Sequence, residues 1–154
     1  MADPNPQLKS VLSELRDINK DKRRSAVMKL AMIGGDEALR ALIRIIENEY
    51  EDLIVRGRAA LMLGNMGDAR AVAPLIKALS APGYQIPLHA AQSLGKLGDP
   101  RAIEPLLILA ENSKDRLHDA ALMALQRLGH GSASHPADDT RLMPAEASAE
   151  TGLS

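Results

Sequence analysis

Four histidines, a knot of carboxylates and a short basic run are the residues whose chemistry could be put to use, and each use demands its own spacing. A metal site or an acid–base pair needs histidines on one face of an element, or a histidine beside a carboxylate that can share its task. His89 and His118 fall at different columns of two helical segments, His130 and His135 lie where no periodicity runs, and no His-Glu pair occurs. Glu47, Glu49, Glu51 and Asp52 lack both the spacing of a calcium loop and its glycine. The run at residues 20–24 (KDKRR), with Lys29, could touch phosphates. Asp17 and Asp21 interrupt it and no aromatic is interleaved, so it reads as a solvated helix start. Cysteine is absent, which removes thiol nucleophiles, disulfides and thiolate metal sites. There is no nucleophile elbow, P-loop or dinucleotide fingerprint. No catalytic residue, metal site or cofactor is expected.

Composition bounds the rest. The chain has 154 residues, of which 45% are hydrophobic and 25% charged, which suits one soluble domain. Its 19 basic and 20 acidic side chains leave a net charge of −1, and Tyr50 and Tyr84 are its only aromatics. A strong grip on nucleic acid needs surplus positive charge and, for single strands, stacking platforms, so no nucleic-acid partner is expected. No apolar run approaches the ~20 residues of a membrane span. Residues 1–7 (MADPNPQ) do not resemble a secretory signal, so a cytoplasmic location without membrane contact is expected. A core without Phe or Trp must be built from Leu, Ile, Val, Ala and Met, a menu better suited to helices than to sheets.

The elements that would position any site come from internal repetition. Residues 22–34, 55–67, 86–98 and 117–129 align without gaps, starting 33, 31 and 31 residues apart. Ala26, Ala59, Ala90 and Ala121 share one column, and Leu30, Leu63, Leu94 and Leu125 share the column four residues on. That spacing is one face of a helix, and the closing glycines are C-cap signals. A second helix follows each of the first three, over residues 35–46, 68–79 and 99–110, with Asp68 and Asp99 as N-caps. Pro74 and Pro105 mark either the passage from an irregular turn into regular helix or a kink. Leu8, Val11, Leu12 and Leu15 fall on the same columns one period earlier, making a half-repeat that covers the first open face. The expected organisation is a tail over residues 1–7 and a solenoid over 8–129: a capping helix at 8–19, repeats at 22–50, 55–81 and 86–112, and a last helix at 117–128. An acidic tail follows over 130–154.

The strings VRGRAALMLGNMGDARAVAPLIKAL and HAAQSLGKLGDPRAIEPLLILA resemble the short HEAT-like repeats named after the phycocyanobilin (phycobilisome) lyases, which are common in small bacterial proteins. The resemblance covers residues 8–129 and implies an all-α, right-handed α-solenoid of about eight helices, with its second helices on the concave side. It also implies a ladder of Arg and Asp between repeats, matched here by Arg56, Asp68, Arg70, Asp99 and Arg101. Pro87 and His118 stand in Arg56's column and Gly35 in that of Asp68, so the ladder is expected to be incomplete at both ends. Members of the family mostly bind proteins, and a minority act on bilins.

If the second helices line the groove, the positions between their apolar columns face outward. They include Lys9, Arg16, Arg40, Arg44 and Lys77 in the first half, then Glu104, Ile108 and Glu111 in the last repeat. Such a graded row could seat a mixed-charge partner segment, charge setting encounter and orientation while Ile108 adds apolar contact; the plainer reading is a solvated face. A second candidate is the open end, where Leu117, Leu122, Leu125 and Leu128 have no following helix. The tail, another chain or a second copy meeting end to end could cover it. The tail carries a net −3 and residues 8–129 a net +3, which permits an intramolecular cover that a partner displaces. Met28, Leu61 and Met123 share a rim column that suits either packing on the next repeat or adaptable binding. The function expected is a non-enzymatic protein–protein scaffold. The alternative, suggested by the family's name alone, is an accessory subunit of a bilin-lyase or phycobiliprotein-handling system.

Overall fold

The computed structural model describes residues 5–130. Among these there are eight α-helices, two short 3₁₀ turns and no strand. In chain order the helices are α1 (Pro6–Glu14), α2 (Lys20–Ile33), α3 (Asp36–Glu47), α4 (Leu53–Met66), α5 (Val72–Ala78), α6 (Gln85–Leu97), α7 (Ile103–Asn112) and α8 (Asp115–Arg127). The array is an α-solenoid in which α2, α4, α6 and α8 form one layer and α1, α3, α5 and α7 the other.

Each boundary has a local cause. Asn5 caps α1 by accepting from the amides of Gln7 and Leu8, and Pro6 at the first turn gives up a donor that would be orphaned anyway. The helix therefore starts ahead of the residue 8 expected from the apolar columns. It stops at Glu14, because residues 15–17 tighten into i→i+3 bonds and Asn19 turns to cap α2. Gly67 and Gly98 close α4 and α6 at φ 70° and 69°, left-handed values that a side chain would resist. Asp68 and Asp99 accept from the amides two residues on and open the 3₁₀ turns Ala69–Ala71 and Pro100–Ala102. These turns pass directly into α5 and α7, so Pro74 and Pro105 fall at the third helical position, where no hydrogen-bond donor is needed. Neither proline kinks a helix.

The two layers are spaced differently. The column leucines Leu30, Leu63 and Leu94 are completely buried, and Leu125 nearly so. Within the first layer, α4 lies so close to α6 that a Cβ on Gly64 would come within 2.7 Å of the Ser93 Cα. Ser93, itself fully buried, uses this approach to donate to the carbonyl of Ala60 at 2.6 Å. The next crossing repeats the pattern one period later, with Gly95 against Ala124. The helices of the second layer stand further apart and leave grooves between them. No helix among the described residues is long and apolar enough to cross a membrane.

Candidate partner-binding surface

The outward row of the second helices divides into three grooves of different chemistry. Between α1 and α3, Arg16 and Arg44 face Glu37 and Glu51 across a concavity of about 330 Å³ floored by Leu12, Leu15 and Ile45. Between α3 and α5, Lys77 and Pro74 lie opposite Glu47 and Glu49 around about 610 Å³. Between α5 and α7 the lining turns apolar, with Ile108 (52% exposed) beside Ile76, Leu79 and Pro105. Glu104 and Glu111 are exposed on α7, and Lys9 is exposed on α1.

The cations of this row are not equivalent. Arg40 is engaged with Asp36 on its own helix, Nε to Oδ2 at 3.0 Å. Arg16, Arg44 and Lys77 have no ion pair among the described residues. The basic run at the start of α2 is spent internally: Lys20 pairs with Asp52, Lys22 with Asp17, Arg24 with Asp21 and Lys29 with Glu14. Arg23 makes a fork onto Glu51, with Nη2 at 2.8 Å, and also donates to the carbonyls of Asp17 and Ile18. The acidic connection before α4 and the basic run thus neutralise each other, a long-range pairing that neither stretch reveals by itself. Hydrogen bonding to Glu51 raises the Arg23 pKa above its ordinary value.

The expected ladder resolves into two devices. Arg70 joins Asp68 of its own turn to Asp36 of the preceding repeat. Asp36 does this from one position after Gly35, so the missing aspartate has moved by one residue. Arg101 reaches only Asp99 among the described residues. Arg56 pairs with no carboxylate. It is buried and donates from Nε and Nη2 to the carbonyl of Ile46 at 3.2 and 2.9 Å, at the electronegative C-terminal end of α3. His118, in the same column, donates from Nδ1 to the carbonyl of Ala110 at 2.7 Å, the equivalent position of α7. A carbonyl can only accept, so Nδ1 carries the proton. Arg23 serves the end of the capping segment in the same way. Pro87 has nothing to offer there.

The hydrogen bond from Arg70 holds the Asp36 carboxyl below the usual carboxylate range, with the Arg40 charge adding to it; Arg70 and Arg101 do the same to Asp68 and Asp99. A lowered folded-state pKa means stability that is complete above the unfolded value and is lost as pH falls through the folded one. Carboxyl titration by NMR should therefore place the Asp36 midpoint below that of an ordinary aspartate, and Arg70→Gln should move it upward. An unchanged midpoint would show that the bridge does not persist in solution.

The open end is less bare than its leucines imply. Leu125 and Ala121 are buried against α6 and α7, Leu117 and Leu128 are half-buried, and Leu122 (46% exposed) and Met123 (65% exposed) face solvent. Residues 131–154, which include the acidic tail, lie outside the described residues.

Comparison with the sequences of curated proteins returns no match. Among solved structures, the chain is similar to one in the complex of CpcE and CpcF of phycocyanin lyase from Nostoc sp. PCC7120. The TM-score is 0.70 at 26% identity over 84% of this chain, which spans only 56% of that one. The family model described as HEAT repeats matches residues 8–86 and again 49–126, so the same motif is read twice along almost the whole solenoid. The chain belongs to the HEAT repeat family.

Proposed function

We propose that this chain is a non-enzymatic scaffold that holds a partner protein against an exposed face of its helical stack, with the second-helix row as one contact surface. The observation that carries this reading is the row of grooves, whose cations Arg16, Arg44 and Lys77 have no ion pair among the described residues and whose apolar end at Ile108 is half open. Rigid helices present such groups without an ordering cost on binding. Glu104 and Glu111 would orient the partner at the opposite end. The open end at Leu122 and Met123 is a further contact point, including for a second copy.

The likeness to a subunit of the CpcE–CpcF complex supports a narrower second reading, an accessory role in a bilin-lyase system with a protein as the partner. Absorbance separates the two: a red-shifted chromophore on mixing with a bilin favours the accessory role, and an unshifted spectrum favours a scaffold without pigment.

For the row itself, affinity purification with the intact chain and with Arg44→Glu/Lys77→Glu is the direct test. Arg44 and Lys77 are chosen because Arg40 is already engaged. The variant is expected to lose about tenfold or more of the captured partner, in a salt-dependent way. Equal recovery by both would remove this face from the proposal.

A further inference from the structure

The unpaired cations of the other layer form a second constellation. Arg58 on α4, Lys96 on α6, and Arg116 and Arg127 on α8 have no carboxylate partner among the described residues, in contrast to the fully matched basic run of α2. Arg58 lies on the sulfur of Met28 at 3.7 Å, and Lys96 donates to Asn65 at 2.7 Å. Between α6 and α8 a concavity of about 850 Å³ is lined by Lys96, Arg116 and Arg127 together with Leu88 and the exposed Met123. Asp119 is the one carboxylate in that lining. His89 packs over Gly57, beside these cations. Burial, with the charges of Arg58 and Arg116 adding to it against a hydrogen bond to Gln92, holds its pKa below the ordinary imidazole value.

We infer that the first-helix face of α4, α6 and α8 is a docking groove for an acidic segment of a partner protein that also carries apolar residues. The inference rests on the scaffold reading and adds a surface and a partner chemistry to it. Charge selects the occupant: Lys96, Arg116 and Arg127, without an ion pair among the described residues, stand against Asp119 in the concavity, and Arg58 on α4 is likewise unpaired there, which calls for carboxylates from outside. Met28 and Met123 suit the apolar residues of such a segment, because a thioether side chain adapts to varied shapes. Nucleic acid fits less well, since the groove has no aromatic platform.

The test uses the full chain and a fluorescein-labelled peptide of repeated Glu-Glu-Leu units, read by anisotropy. A Lys-Lys-Leu peptide and a single-stranded DNA oligonucleotide serve as controls. The acidic peptide is expected to bind with a marked salt dependence. Arg58→Glu/Arg116→Glu should weaken binding by about tenfold or more. Arg58→Gln/Arg116→Gln should give an intermediate loss with an unaltered helical spectrum, which separates lost charge from lost fold. Absence of binding, equal binding by the Glu variant, or tighter binding of the oligonucleotide would each overturn the proposal. If the peptide fails here yet Arg44→Glu/Lys77→Glu abolishes partner capture, the scaffold reading survives and this surface does not.

Discussion

Gly64→Ala is expected to destabilise the protein by about 2 kcal/mol, although alanine is the better helix former by roughly 1 kcal/mol. The cause is the crossing of α4 and α6. The new methyl would meet backbone, the Ser93 Cα, at 2.7 Å, so no rotamer change can make room and the two helices must part. Parting them also lengthens the buried bond from Ser93 to the Ala60 carbonyl. Two other glycines grade the effect. At Gly95 the nearest atom is the Ala124 Cα at 3.0 Å, which calls for a shift of tenths of an ångström and a smaller loss. At Gly57 the nearest is the tip of His89 at 3.3 Å, which can swing aside, so Gly57→Ala should be neutral or stabilising by up to about 1 kcal/mol. Urea unfolding of the three variants checks the order. Because a solenoid is coupled through nearest-neighbour interfaces, hydrogen exchange in Gly64→Ala should accelerate from α6 onward more than in α2 and α3. A Gly64→Ala variant as stable as the parent would disprove the close crossing.

Arg56→Met should cost a similar amount, about 2 kcal/mol, by a different route. Methionine fills much of the same space but cannot donate, so the Ile46 carbonyl, which α3 leaves open at its C-terminal end, loses the partner that satisfies it. Arg56→Lys keeps a charge beside the helix end and one of the two donors' functions, and should lose less than half as much. The measurement is the urea midpoint at constant slope. Equal losses for Met and Lys would mean that packing of the side-chain stem, and not the bond to the carbonyl, is what matters at this position.

The helices were legible because their signals are local and repeated: apolar residues four apart, aspartate at the start, glycine at the end. Four copies of a column make chance agreement hard. What escaped depends on contacts between residues distant in sequence or on shifts of one position. Asn5 opens α1 ahead of the first apolar residue, where no column points to it. Asp36 takes over from the aspartate missing at residue 35 by reaching Arg70 of the next repeat, and a strict column comparison passes over it. The division of the cations into engaged and unengaged could not be read at all. The run at residues 20–24 looks like the chain's most basic patch, yet Glu14, Asp17, Asp21, Glu51 and Asp52 account for its charge together with that of Lys29. Arg58, Lys96 and Arg116, scattered singly along the chain, are among the cations without a carboxylate partner in the described residues. The glycines at 64 and 95 carry a readable hint, since a glycine inside a strong helix signals that something approaches closely. The partner in that approach is identified only by the fold.

The job shared by Arg56 and His118 bears on how a protein of this kind can change length. The Ile46 carbonyl lies 10 residues before its arginine, and the Ala110 carbonyl lies 8 before its histidine. Arg23, in the same column, reaches back only 5 and 6 residues, to the carbonyls of Ile18 and Asp17. One column thus fastens bends of three different lengths, because what it grips is the open end of the preceding segment and not a residue at a fixed distance along the chain.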